Sequence, residues 1–260
     1  SQTPVEQQHI VNAFAFELGK VETSAIRARM LANLRNVDEE LAAKVADGLG
    51  LALPPASTPA RPRVDGLAPS PALSIVGNGP VRFTGRKVGV LVSDGTDAKL
   101  VKAVRDAVER EGGMVEVVAP TVGGVALTDR STLTADHAVP GGPSVLFDAV
   151  AALVSADGAA LMATDPAAKD FVSDAYAHAK FVAHAPGAAA LLQAAGVEPD
   201  AGFVELRTPG DAKRFVELCR SLRYWDREQP PPVKPVATGN GRRATRTPTA
   251  KRAPAVTKRR

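Results

Sequence analysis

The chain offers one cysteine and four histidines to nucleophilic, acid–base or metal chemistry, and their surroundings argue against most of it. Cys219 sits in FVELCRSL with Phe215, Val216 and Leu222 at helical spacing. A thiol on an apolar helix face is a small hydrophobe, because its thiolate would lose its hydration there. One cysteine makes neither an internal disulfide nor a cysteine-based zinc site, which fits a reducing compartment. His9 falls on the apolar spacing of an expected helix. His137 and His178 have Asp136 and Asp174 close in sequence but no Cys, Asp or Glu at a recognised metal-ligand spacing. Gly141-Gly142-Pro143 reads as a turn rather than a ligand cradle. No catalytic, cofactor-binding or metal-ligating residue is assigned from these patterns.

Charge divides the chain unevenly. Nine basic residues, Lys234, Arg242, Arg243, Arg246, Lys251, Arg252, Lys258, Arg259 and Arg260, follow residue 230 with no acid among them. Without them 23 basic face 28 acidic residues, a net of −5 instead of the overall +4. The segment 230–260 is rich in Pro, Thr, Ala and Gly and is expected to be a disordered basic tail. RRATRTPTAKR and the final KRR could neutralise phosphates, so weak, nonspecific nucleic-acid contact is the partner such a tail would allow. No apolar run approaches the roughly 18–20 residues of a membrane-spanning helix, and the first residues lack the basic-then-apolar layout of a secretory signal. A cytoplasmic location without membrane contact is the expectation.

The elements that must position these residues fall into four segments. Residues 1–53 carry three short helical patterns: Val5, His9, Ala13 and Phe16; Ile26, Met30 and Leu34; Val37, Leu41 and Val45. Thr23 or Ser24 would cap the second helix, Asp38 lies in the opening turn of the third, and Gly48 and Gly50 can end it. Such a helical piece has too little core to stand alone, as if cut from something larger. Residues 54–84 hold seven prolines, from Pro54 to Pro80, and read as an extended linker.

Residues 85–229 alternate strand and helix. Strands are expected at Lys87–Val92, Val115–Val118, Ala149–Val154 and Phe181–Ala183. Helices are expected at Ala98–Arg110, Ala167–Ala179, Gly187–Ala195 (closed by Gly196) and Pro209–Leu222. The fold class is therefore α/β: a short helical segment followed by a doubly wound parallel sheet of five or six strands. The loop Ser93-Asp94-Gly95-Thr96-Asp97 follows the first strand, where such a fold can hold a phosphate. Its two carboxylates would repel an anion, so a turn capped by Thr96 or Asp97 is the better reading, and a bound flavin is not expected.

QQHIVNAFAFELGKVE, followed by IRARMLANLRNVDEELAAKVADGLGL, resembles the last helices of the catalytic domain in large-subunit haem catalases. KVGVLVSDGTDAKLVKAVRDAVEREGGMVEVVAP, FDAVAAL and GDAKRFVELCRSLRYWDREQ are similar to the flavodoxin-like carboxy-terminal domain of the same family. The resemblance covers residues 4 to about 228. It implies a parent that disproportionates hydrogen peroxide on haem and assembles as a homotetramer. It also implies that the distal His and Asn and the proximal Tyr ligand lie upstream, so this chain would be a noncatalytic fragment binding no haem of its own. Tyr176 and Tyr224 belong to the α/β segment and do not replace them.

The same segment also resembles the DJ-1/PfpI and class I amidotransferase group, which places a Cys nucleophile on a sharp strand-to-helix turn. Here that turn reads FVAHAPGAAALL, with Ala185 at the nucleophile position and His184 beside it. A base without a nucleophile does nothing, which leaves such a hydrolase the last alternative. A free-standing chaperone-like binding module stands before it, resting on the apolar stripe of the first helices.

Overall fold

The computed structural model describes residues 2–228 apart from Arg63, Asp65 and Pro69. The expected basic tail, residues 230–260, lies outside the described residues.

Three helices come first: α1 (Pro4–Gly19), α2 (Ser24–Leu34) and α3 (Glu39–Gly48). Thr3 and Glu6 form a reciprocal capping box on α1, and the Asp38 carboxylate caps α3 through the amide of Leu41. Thr23 occupies the N-cap position of α2 but makes no side-chain capping bond. Val11, Leu18, Leu31, Leu34, Ala42, Val45 and Ala46 form the buried core of this group. This inner face differs from the expected stripe. His9, Ala13, Phe16, Ile26, Met30 and Val37 are exposed, while Leu34 and Val45 point inward. Helix α1 carries apolar residues on more than one side, so periodicity alone could not select the side that faces α3.

The described part of the proline-rich stretch contacts the helices and is not extended throughout, since Pro71–Leu73 form a short 3-10 helix. Ser57 bonds the Ala32 carbonyl and the side chains of Asn33 and Asn36, and Arg35 donates to the Pro54 carbonyl at 2.7 Å. The Ile75 amide donates to the buried Glu6 carboxylate at 2.7 Å. Backbone N–H groups from Thr3 and Ile75 hold that carboxyl below its usual range.

The α/β part is built from β1 (Lys87–Leu91), α4 (Ala98–Arg110), β2 (Met114–Ala119), the small antiparallel pair β3 (Val125–Ala126) and β4 (Thr132–Leu133), and β5 (His137–Ala138). There follow β6 (Ala149–Ala152), α5 (Ala156–Met162), α6 (Pro166–Ala177), β7 (Val182–His184), α7 (Ala189–Ala194), β8 (Phe203–Glu205) and α8 (Asp211–Cys219). The main sheet runs β5-β2-β1-β6-β7-β8, all parallel. Its five longer strands, numbered among themselves, stand in the order 2-1-3-4-5, the flavodoxin-like arrangement, and the two-residue β5 extends one edge.

Both faces of this sheet are covered, which is why KVGVL and AVAA read as continuous apolar runs instead of alternating ones. Val88 and Val90 point to a core shared with Leu100, Val104 and Val108 of α4 and Phe215 and Cys219 of α8. Leu91, Val150 and Ala152 point to the other, with Phe171 and Val172 of α6 and Leu191 of α7. Gly89 is required by packing: a Cβ there would lie 2.2 Å from the Phe147 ring.

Candidate functional site: the topological switch point

Strands β1 and β6 are neighbours, and the chain leaves them for opposite faces through α4 and α5. The crevice beyond their carboxyl ends is where an open α/β sheet accepts a ligand. Here the two loops are hydrogen-bonded to each other. The Ser155 amide donates to Ser93 Oγ at 3.0 Å, and Ser155 Oγ donates to the Asp94 carbonyl at 2.6 Å. The Ser93 amide donates to Thr96 Oγ1 at 3.0 Å, which passes its own hydrogen to the Leu153 carbonyl at 2.7 Å.

Further loop groups are engaged as well. Gly95 N–H donates to the Ala126 carbonyl, and the Ala126 amide donates to the Asp94 carboxylate, each at 2.8 Å. Asp97 caps α4 by accepting from the Lys99 amide at 2.7 Å, as the Thr96-or-Asp97 reading expected. Gly158 packs so closely that a Cβ would meet Ser93 Oγ at 2.0 Å. The Ser93, Gly95 and Thr96 amides, which could cradle a phosphate, thus serve the fold instead.

The strand-to-helix turn after β7 is equally plain. Ala185 has φ −76° and ψ 156°, an ordinary extended conformation, and its amide donates to the Ala152 carbonyl at 2.9 Å. A nucleophile on a strained elbow needs both a side chain and a turn that this position does not supply. His184 is half-buried, its Nδ1 lies 3.2 Å from the Ala185 carbonyl, and its ring meets Phe203 edge-on. It borders a cleft of about 470 Å³ shared with Gln193, Glu198 and Glu205. Glu205 is paired with Arg207 at 2.7 Å, and the lining of this cleft includes no Ser, Thr, Cys or Lys side chain for His184 or Glu198 to activate.

The other sequence candidates are scattered. Cys219 is fully buried, and burial pushes its thiol well above the ordinary value. His137 pairs with Glu116 of the adjacent strand at 2.9 Å, a partner 21 residues away that no local spacing could reveal. Asp136 accepts from the Val117 amide at 2.7 Å, and His178 caps the end of α6. His9 contacts the Glu228 carboxylate through its Nε2 and approaches the Trp225 ring, in place of the apolar setting expected for it.

The His9, Tyr176 and Tyr224 side chains do not fit a haem. The His9 imidazole is held by Glu228, and the Tyr176 and Tyr224 rings flank the Arg227 guanidinium at 4.4 and 5.4 Å. Among the described residues no three His, Cys, Asp or Glu side chains group as a metal site.

Sequence reasoning passed over the residues that carry the densest polar chemistry. Arg227 chelates Asp200 at 2.7 and 2.9 Å and donates to the Tyr176 and Lys180 carbonyls. Lys180 is 3 % exposed, and its ammonium donates to the Ser144 and Phe147 carbonyls. Lys180 falls between an expected helix and an expected strand and Arg227 beyond the last expected helix, places where arginine and lysine are usually solvated.

Three helices stand beside a doubly wound α/β sheet whose switch-point loops are hydrogen-bonded to each other. Residues 84–229 match the family described as the C-terminal domain found in long catalases, and residues 1–49 match the family described as catalase-related immune-responsive. The chain belongs to the long-catalase C-terminal domain family. It is similar to Catalase C of Rhizobium meliloti, 47 % identical over 238 residues, covering 90 % of this chain and 33 % of the relative. Catalase HPII of Mycobacterium avium is 40 % identical over 200 residues, covering 76 % and 28 %, and Catalase-2 of Bacillus subtilis is 32 % identical over 232 residues, covering 87 % and 32 %. The chain spans about a third of the length of these curated relatives. No helix among the described residues is long and apolar enough to cross a membrane.

Proposed function

We propose that this chain is the carboxy-terminal part of a cytoplasmic, homotetrameric haem catalase whose whole polypeptide converts two hydrogen peroxide molecules to two water molecules and one oxygen. Within it, residues 1–53 complete the catalytic domain, residues 54–84 link, and residues 85–229 support stability, assembly or substrate access without taking part in the chemistry. The haem and its ligands belong to the upstream part of that polypeptide. The observation that carries this reading is the joint match of residues 1–49 and 84–229 to catalase families, in that order along one chain. The filled switch point and the relaxed Ala185 turn support a noncatalytic role for the α/β part.

The test is removal of residues 84–229 from the longer polypeptide of the same coding region. Its thermal midpoint and tetramer fraction should fall, while turnover per bound haem stays within about twofold, a change of about 0.4 kcal/mol in the barrier. A loss of turnover in an intact, haem-loaded tetramer would contradict the supporting role.

A second reading, a free-standing chaperone-like module, draws on exposed Phe16, Ile26, Met30 and Val37. Under the first reading the rest of the catalytic domain covers these residues. Suppression of a client protein's aggregation by this chain, lost on Phe16→Ser with Val37→Ser, would favour the second.

A further inference from the structure

The stretch between the helical group and the α/β part closes on itself around one asparagine. Asn78 Nδ2 donates to the Pro71 carbonyl at 2.7 Å and to the Ser74 carbonyl at 2.8 Å, and the Asn78 amide donates to the Ser74 carbonyl at 3.1 Å. The Gly77 amide adds a bond to Ser74 Oγ at 2.9 Å. This turn presents the Ile75 amide to Glu6 of α1, whose side chain is buried. Glu6 Oε2 takes the amide and hydroxyl of Thr3 at 2.8 and 2.9 Å, and Oε1 takes the Ile75 amide at 2.7 Å. Asn78 thus holds the turn, and the turn holds this stretch to α1.

Asn78 is exposed, and Gly79 follows it with an amide that has no hydrogen-bond partner among the described residues. Asparagine is among the thermolabile residues, and a glycine carries no Cβ to obstruct the approach of its own amide to the side chain before it.

We propose that Asn78 is a site of spontaneous deamidation, and that its conversion to an acid releases the proline-rich stretch from α1. The Gly79 nitrogen bonds to Asn78 Cγ while the Cγ–Nδ2 bond breaks, and ammonia leaves with the Gly79 amide proton to give a cyclic imide. Water then opens the imide at either carbonyl, leaving aspartate or isoaspartate. Ammonia leaves only once the two bonds from Nδ2 have opened, so the turn sets the pace of its own release. The product has lost both side-chain N–H donors, and its carboxylate meets the Pro71 and Ser74 carbonyl oxygens, which only accept. The turn is weakened by that repulsion, and Glu6 Oε1 loses its donor as Ile75 departs.

The experiment ages the whole chain in mildly alkaline buffer and follows Asn78 by peptide mass spectrometry, with Asn240-Gly241, the other Asn-Gly of the sequence, in the same sample. Conversion at Asn78 is expected, slowed by about tenfold or more in Gly79→Ala, whose methyl makes only ordinary contacts with the Ile75 and Val76 carbonyls. Asn78 left intact while Asn240 converts overturns the site. Release is read separately, by hydrogen exchange of the Ile75 amide in Asn78→Asp. Exchange faster than in the parent by about tenfold or more is expected there, with the buried Val90 amide of β1 unchanged. An Ile75 amide as slow as in the parent, or Val90 speeded equally, overturns the release.

Discussion

Ser155 donates its backbone amide to Ser93 Oγ at 3.0 Å across 62 residues of sequence, tying the loop after β6 to the loop after β1. A doubly wound sheet commonly opens to a ligand at this place. The bond converts it into a packed junction, and Gly158 lets α5 come close enough to make it.

Gly158→Ala should therefore destabilise the fold by about 1–3 kcal/mol, since the added methyl meets the short, hydrogen-bonded Ser93 side chain. Gly141→Ala, where nothing lies within 4 Å of the new Cβ, should change stability by less than about 0.5 kcal/mol. Urea unfolding of the two variants beside the parent measures the contrast, and equal midpoints would refute the packing account.

Arg227→Ala should cost about 2–4 kcal/mol, because it strands the Asp200 carboxylate and empties the space between Tyr176, Phe203 and Tyr224. Lysine should rescue little, lacking the planar fork. Burial pushes the Asp200 carboxyl up, but the hydrogen bond from Arg227, the Gly202 amide and the guanidinium charge outweigh it, and the net pKa is lowered from 3.8. The stability from this pair is then present above the unfolded pKa and fades as pH falls through the folded value. Acid unfolding of the parent should be steeper below pH 3.8 than that of Asp200→Asn.

Much of the fold was legible from periodicity. The run KVGVLV, the strand expected at Val115–Val118, which the structure extends to Met114–Ala119, and the helix Ala98–Arg110, whose bounds the structure repeats, follow from apolar runs and strong amphipathicity. The pieces that escaped are short. The strand pairs of β5 and β8 span two and three residues, and α5 is seven residues of mostly small side chains. Their existence depends on neighbours in the sheet, not on local pattern. The inner side of α1 was misread for the same reason. At the switch point, the capping role of the Thr96-Asp97 turn was readable, whereas the Ser93–Ser155 link joins residues too far apart for any spacing rule.

Lys180 makes a pH dependence of its own. Burial first, then the charge of Arg223, lowers its pKa from 10.5 to about 8 against the opposing pull of Asp148 and Asp174. Between these values the unfolded chain binds more protons than the folded one, so this residue adds stability as pH rises from about 8 to 10.5. The parent should gain about 1–3 kcal/mol relative to Lys180→Met across that interval. Denaturant unfolding at pH 7.5 and 10.5 reads the difference. A constant gap between the two proteins would contradict a lowered lysine pKa.

The assignment of the chemistry to the upstream part of a catalase is tested most directly by supplying haem to the purified 260-residue chain and following oxygen release from hydrogen peroxide, beside the longer product of the same coding region. The account predicts a Soret band and saturable oxygen release only in the longer product, with this chain indistinguishable from free haem in buffer. A Soret band and saturable turnover from the 260-residue chain alone would contradict it.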